Sequence, residues 1–440
     1  MSAELALWMF PLLLVAIFMG VPVAYALMSV ALVFGLPHFG TSLVVMFGQR
    51  VEQVTSSHLL AAVPLFIFMG AMLEKSGIAE GMFEEIGHWT RRLPGGIAVA
   101  TIVICVLFAA SSGVVGATET VVGLLAVPVM MRHGYDKGLI SGTICAGGSL
   151  GSIIPPSVLV VILATIADLG VGDLFTAMLF PGLILAGLYI AYILTYTALR
   201  PAAAPRMTEE EDDAPVLQRL LRTAYYLLPP ISLIVAVLGS IIFGIAVPTE
   251  AAAVGAIGAM VLTILYKRFT YAVLKDAMII TLSITAIVLT IVLGGLMFLG
   301  VFAGTGGLIL LQQFFTESGL GAGGTAAIIL FITFIAGFIL DPISIMLILV
   351  PLAMPIVKSL GFEPIWFSIM LLIMIQTSLL TPPMAGAIFY FRTIAPPEIT
   401  LRDMYRGVVP FIALHFVVLA LLIAFPQIAL WLPSVLLGFD

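Results

Sequence analysis

The chain has 440 residues, 62% hydrophobic and 9% charged, with a formal net charge of −6. Soluble domains carry about 25% charged residues, so too little polar surface remains here to cover a water-facing globule, and a mean hydropathy of +1.24 points to an all-α polytopic membrane protein. The basic residues are scattered through loops, which argues against a nucleic-acid partner, and apolar runs such as 227–244 and 407–425 are not the alternating ten-residue strands of a membrane β-barrel. At roughly 20 apolar residues per crossing of a ~30 Å core, the chain has length for about ten crossings of the lipid bilayer.

In chain order, residues 1–8 lack the basic n-region of a cleaved signal peptide. Apolar runs 5–20 and 22–38 flank a Val-Pro pair. An amphipathic stretch follows at 41–57, then a run at 58–76. A second amphipathic stretch at 78–93 carries Met82, Phe83, Ile86 and Trp89 between charges, which suits a helix lying in the interface. The next run, 95–133, is broken at its middle. Its 97–131 core is too long for one crossing and short for two with a turn, and residues 110–118 are small and polar. A crossing pair with a Gly/Ser contact surface is one reading; a re-entrant hairpin with its tip near the midplane is the reading preferred here. A run at 137–166 is broken by Pro155-Pro156, and 174–198 closes the first half. Residues 201–223, with the acid run Glu209-Glu-Glu-Asp-Asp213, read as a solvated cytoplasmic linker.

The pattern then recurs: apolar runs at 224–245 and 248–266, an amphipathic stretch at 267–277, a run at 278–303 and a second amphipathic stretch at 305–318. A hairpin at 323–358 is interrupted by Gly337-Phe-Ile-Leu-Asp341-Pro342. A helix at 363–392 is broken by Pro382-Pro383, and 405–432 closes the half. Pro155-Pro156 and Pro382-Pro383 stand 227 positions apart, as do Gly134 and Gly361 and Pro128 and Pro355, while Val21-Pro22 and Val247-Pro248 stand 226 apart. A series of landmarks at one offset marks an internal duplication of 1–200 in 224–440. With each hairpin returning to its own side, each half has five crossings. That number is odd, so the halves are inverted repeats. On this map 15 of the 17 Lys and Arg lie on one side, and only Arg50 and Lys358 on the other. The Lys/Arg-rich side is cytoplasmic, which leaves both termini outside.

Inverted repeats with helices interrupted at the midplane mark secondary transporters. A break frees backbone groups where lipid cannot satisfy them; carbonyls and hydroxyls suit a hard cation such as Na⁺, and helix N-termini suit an anion. We expect one Na⁺ site from Ser111, Ser112 and Gly113 at the first tip with Gly151, Ile154 and Pro156, and a second from Gly337 and Asp341 with Thr377, Leu380, Thr381 and Pro383. Asp341 is an ionisable residue inside an apolar run, where a site is the default reading. Between the two, Thr118, Glu119, Ser152, Ser157 and Gln376 are candidates for holding the solute. The competing reading of each hydroxyl is a bond to its own helix carbonyl. Glu250 reads as a helix-terminus acid, Arg392 as an interface marker, His415, Cys105 and Cys145 as packing residues.

Enzyme readings fare worse. Gly70-Ala-Met-Leu-Glu-Lys75-Ser76 lacks the second glycine of a phosphate-binding loop, so the chain is not expected to hydrolyse ATP. Gly170-Val-Gly-Asp173 with Tyr135-Asp136 matches an intramembrane aspartyl protease signature, but two catalytic aspartates must share a proton and the topology puts these on opposite sides.

Taken together, Gly20-Val-Pro-Val-Ala24, Pro64-Leu-Phe-Ile-Phe-Met-Gly70, Phe108-Ala-Ala-Ser-Ser-Gly113, Gly147-Gly-Ser-Leu-Gly-Ser-Ile-Ile-Pro-Pro-Ser157, Pro248-Thr-Glu-Ala-Ala-Ala-Val-Gly255 and Leu380-Thr-Pro-Pro383 make the whole chain resemble the large membrane subunit of the tripartite ATP-independent periplasmic (TRAP) transporters. The resemblance implies an elevator-type fold of the ion-transporter superfamily, with about 10 transmembrane helices and two re-entrant hairpins. It implies Na⁺ coupling in a bacterial inner membrane and uptake of an organic acid handed over by a periplasmic substrate-binding protein. It also implies a small four-helix membrane subunit, expected here as a separate partner. A stand-alone carboxylate carrier without a binding protein is the alternative. One departure is that Val114 and Val115 follow Gly113, where the family often has small residues.

Overall fold

The computed structural model describes residues 3–112, 116–205, 216–317, 319–383 and 385–438, and every regular element among them is helical. The first half comprises α1 (Ala3–Ala6), α2 (Met9–Phe18), α3 (Val23–Phe39), α4 (Ser42–Thr55), α5 (Ala62–Lys75), α6 (Ile78–Thr90), α7 (Gly96–Ser112), α8 (Ala117–Arg132), α9 (Lys137–Ser149), α10 (Val158–Ala167) and α11 (Val171–Leu199). The second comprises α12 (Val216–Ile242), α13 (Pro248–Leu265), α14 (Tyr271–Gly304), α15 (Gly307–Glu317), α16 (Gly321–Ala336), α17 (Pro342–Ser359), α18 (Pro364–Leu380), α19 (Gly386–Ile394), α20 (Leu401–Ala424) and α21 (Gln427–Leu437).

The mid-broken runs 95–133 and 323–358 are each a pair of helices, α7/α8 and α16/α17. Both expected broken helices are present as α9/α10 and α18/α19, and the Pro155–Pro156 and Pro382–Pro383 bonds within the breaks are cis. Three boundaries differ from the sequence reading. First, α12 begins at Val216, inside the stretch 201–223 read as linker, and residues 206–215, with the acid run, lie outside the described residues. Second, the stretches 267–277 and 278–303 are one continuous helix, α14. Third, the closing run 405–432 is two helices, because Pro426 ends α20 and caps α21. Length also qualifies the first run: α2 has 10 residues, about 15 Å, and approaches the ~30 Å core only together with α1.

The helices α11, α12, α13, α14, α17 and α20 are each long and apolar enough to cross a membrane, and α5 with α6 forms a further candidate bent by 64°. Large apolar side chains such as Phe18, Phe243 and Leu282 are exposed, as lipid-facing surface requires. Local chemistry starts the helices where the sequence changes character. Asp136 caps α9 by accepting from Leu139 N at 3.0 Å; Thr270 accepts from Val273 N at 3.2 Å to start α14; Glu250 accepts from Val247 N at 3.1 Å beside the Pro248 that opens α13. Each cap satisfies donors that lipid would leave unpaired.

Inter-helix packing relies on backbone-to-backbone approach. On α9, a Cβ at Gly142 would collide with Gly407 O of α20, and one at Gly407 would collide with Gly138 O. On α14, a Cβ at Gly294 would stand 2.7 Å from Ala24 O of α3. Close helix approach through small residues is the usual packing device where lipid supplies no hydrophobic drive. It fixes α9, which carries the first break, against α20.

Candidate functional site

The first break is built by α9 ending at Ser149, a 3₁₀ turn over Leu150–Ser152 and a restart at Val158. Gly151, Ser152, Ile154, Pro156 and Ser157 are all buried. The hairpin helix α7 packs against the turn, and Gly147, one turn earlier, leaves room for Cys105 of α7. Ser111 and Ser112 close α7, but Gly113 and the side chains of Ser111 and Ser112 lie outside the described residues. Past the tip, Gly116 adopts φ +93°, open to glycine without strain, and its N–H donates to Glu119 Oε2 at 2.6 Å. Glu119 is fully buried, its carboxylate lies against the bare face of Gly148 on α9, and Oε1 has no hydrogen-bond partner among the described residues. Thr118 is buried beside it.

The second break is closed by a contact only glycine permits. Gly337, at the end of α16, lies against Ser378 of α18, whose Oγ and Cβ occupy the place of a Cβ. Asp341 caps α17: Oδ2 accepts from Ile343 N at 3.1 Å and Ser344 N at 3.2 Å, and Oδ1 accepts from Ser344 Oγ. The hydroxyls mostly follow the local reading. Thr377 donates to Ile373 O at 2.6 Å, Thr381 to Thr377 O at 2.7 Å and Ser378 to Ile375 O at 2.6 Å. Such a bond spends the hydroxyl hydrogen and leaves the oxygen with acceptor capacity. Leu380 is fully buried and Pro383 is exposed.

The expected solute residues have a different placement. Gln376 is fully buried and spans the two broken helices, donating to Ser149 Oγ at 2.9 Å and accepting from Ser152 Oγ at 3.1 Å. Ser152 Oγ also reaches Ser149 O at 2.8 Å, and Ser157 Oγ donates to Ser152 O at 3.0 Å. Ser152, Ser157 and Gln376 therefore form a closed polar bridge between the breaks rather than an open lining. Buried polar groups arranged this way specify one packing. Nearby, Tyr189 Oη stands 3.2 Å from His415 Nε2, and His415 Nδ1 is 3.0 Å from Phe411 O. Sequence reasoning places Ser149 in the first broken helix, facing the hairpin tip, and misses Tyr189, Ser344 and Gly148 as site residues; the one signal of the Ser149–Gln376 contact is their spacing of 227 positions.

The protease signature does not assemble. Asp136 caps α9 and Asp173 lies in the first turn of α11, at opposite ends of the α9–α10 broken helix.

The profile of the family described as "Tripartite ATP-independent periplasmic transporter, DctM component" matches residues 10–428. The chain is 31% identical over 386 residues to the C4-dicarboxylate TRAP transporter large permease protein DctM of Pseudomonas aeruginosa, covering 88% of each chain. It is 31% identical over 440 residues to the ectoine/5-hydroxyectoine large permease UehC of Ruegeria pomeroyi, covering 98% of each. It is 28% identical to the sialic acid large permease SiaM of Vibrio cholerae, over 96% of this chain and 97% of that one. Among solved structures, the Alcanivorax borkumensis YdaH transporter superposes with a TM-score of 0.68 at 16% identity, covering 97% of this chain and 99% of that one; at that identity the likeness speaks for the fold alone.

Proposed function

Because the chain belongs to the tripartite ATP-independent periplasmic transporters, as their DctM component and large membrane subunit, we propose that it carries an organic acid across the bacterial inner membrane after handover from a periplasmic substrate-binding protein. Its halves, 1–200 and 224–440, are inverted repeats around the linker. A separate four-helix membrane subunit completes the complex, and both termini face the periplasm. Relatives named for C4-dicarboxylates, sialic acid and ectoine share a carboxylate on the solute, and that group defines the class proposed here.

Transport is driven by Na⁺. One cation sits between the first tip (Ser111, Ser112, Gly113) and Gly151, Ile154 and Pro156; another sits between Gly337 and Asp341 and Thr377, Leu380, Thr381 and Pro383. Thr118 and Glu119 lie on the solute side of the first hairpin. The observation that carries this reading is that each hairpin packs on its own broken helix while Gln376 ties the two breaks together. Such a bridge lets hairpins and breaks, with α20 locked to α9, move as one body against the remaining helices, which is the elevator mechanism.

The test is solute uptake into proteoliposomes holding this chain, its small subunit and a candidate binding protein, with and without an inward Na⁺ gradient. Uptake that requires all three proteins and sodium is expected; uptake without the binding protein would make the chain a stand-alone carrier. Within that assay Asp341→Asn is diagnostic, because Asn caps a helix as well as Asp while removing the charge. The half-activating Na⁺ concentration is expected to rise about tenfold, equivalent to ~1.4 kcal/mol. An unchanged sodium curve would remove Asp341 from the site and leave it a cap.

A further inference from the structure

Arg50 has no use in the scheme above, yet its setting is unusual. It is one of only two basic residues on the outer side of the topology read from the sequence. It lies on the amphipathic α4, half-buried, lining a cavity of about 240 Å³. The cavity lies between α4 and α14 on one side and α10 and α17 on the other. Its walls are chiefly apolar, with Ile162, Val292, Leu299 and Pro351, and its polar groups besides Arg50 include Ser57 and Thr165.

The guanidinium is held but not neutralised. Nη1 donates to Gln53 Oε1 at 2.8 Å, and among the described residues no carboxylate lies within 4.0 Å of it. Gly300 of α14 makes room for it, since a Cβ there would stand 3.3 Å from Nε. A cation facing a low-dielectric cleft without a counter-ion attracts anions, because apolar walls focus its field instead of screening it. The cleft is lined by α10 and α17, which start at the interruptions. Thr165 lies eight residues beyond Ser157 on the continuous helix α10, about 12 Å along its axis, and Pro351 lies nine residues along α17 from Pro342, about 14 Å.

We propose that this cleft is an outer anion-capture site, in which Arg50 receives the carboxylate of the transported acid before it reaches the breaks. The proposal rests on the organic-acid reading above, but its charge chemistry is testable without uptake. Ser57→Cys introduces a thiol at the cavity wall, and the two native cysteines, Cys105 and Cys145, are fully buried. The thiol is labelled with anionic 2-sulfonatoethyl methanethiosulfonate and with cationic 2-(trimethylammonio)ethyl methanethiosulfonate, each rate being normalised to a free thiol. The whole chain is used, in phosphatidylcholine nanodiscs.

The anionic reagent is expected to react about fivefold or more faster, at the low end of electrostatic rate effects. That preference is expected to collapse in 0.5 M salt, to fall to near one in Arg50→Gln and to persist in Arg50→Lys. Succinate at millimolar concentration, a simple dicarboxylate probe, is expected to slow labelling severalfold only where position 50 is cationic. A charge preference that survives Arg50→Gln, or labelling indifferent to succinate, overturns the proposal. So does loss of the preference when phosphatidylglycerol replaces phosphatidylcholine, which would assign Arg50 to a lipid phosphate. If Arg50→Gln fails to insert, the salt and succinate series on the Ser57→Cys protein decide alone. Absent uptake with intact anion preference would count against the transport reading and not against the cleft.

Discussion

Gly407→Leu is expected to lower the melting temperature of the detergent-purified chain by about 5 °C or more and to abolish transport. The reason is the crossing of α9 and α20, where Gly407 meets Gly138 O and Gly142 N directly. A clash with a flexible side chain is relieved by a new rotamer; a clash with backbone is relieved only by parting the helices. Overpacking usually costs about 1–3 kcal/mol, and the upper end applies here because no rotamer offers escape. The displaced helix carries the first break, so its separation also draws Gly151, Ile154 and Pro156 out of register with α7. Gly187→Ala on α11 is the matched control, since nothing lies within 4 Å of a Cβ there. By helix propensity alone it should be neutral or stabilising by up to ~1 kcal/mol. Equal melting of the two variants would mean that α9 and α20 do not touch as described.

Gln376→Ala is the second large expectation. It removes the bonds to Ser149 Oγ and Ser152 Oγ and opens a cavity at a fully buried position. Two hydrogen bonds at about 1 kcal/mol each, plus a cavity contribution, give a loss of about 3 kcal/mol. Ser149→Ala should cost about 1 kcal/mol, because Ser149 Oγ also donates to Ala146 O and only the accepted bond bridges the halves. The double variant should therefore lose less than the sum, with a coupling of at least ~0.5 kcal/mol by thermal unfolding. Strict additivity would show that the bridge is not formed. Transport measured well below the melting temperature should fall further than stability accounts for, since the bridge ties the two breaks to each other.

The interruptions were legible in the sequence because their chemistry is local. Pro155-Pro156, Pro382-Pro383 and Gly337 with Asp341-Pro342 stand beside small or polar residues inside apolar runs, and the structure breaks at each of them, whereas Pro229-Pro230, flanked by apolar residues, lies inside the continuous α12. The continuous α14 was misread because Lys275 and Asp276 resemble an interface segment, although neither Gly nor Pro stands there to end a helix. Proline alone does not place the close of the chain: Pro426 separates α20 from α21, while Pro410 and Pro433 lie inside those helices. Side-chain commitments were not legible. Whether Asp341 faces a cation or its own helix N-terminus, and whether Gln376 faces a solute or Ser149, is decided by neighbours distant in sequence. The contact of Gly148 with Glu119 is not written in the motif that holds Gly148, since it is a matter of what another helix presents to a missing side chain.

Two fully buried polar contacts share a numerical peculiarity. Ser149 and Gln376 are 227 positions apart, and Tyr189 and His415 are 226 apart, the same offsets that separate the sequence landmarks. Under the proposed duplication, each residue touches its own counterpart, which is possible only on the axis relating the halves. In a homodimeric ancestor those positions would have held two identical side chains face to face. Identical partners there are poorly matched, since two glutamines, two serines or two histidines must compromise over donor and acceptor roles. Fusion into one gene removes that constraint. One copy can then become the donor and the other the acceptor, and a tyrosine can face a histidine. The axis is thus where a fused chain gains most over its dimeric forerunner, and where reverting either residue to match its mate should be felt most.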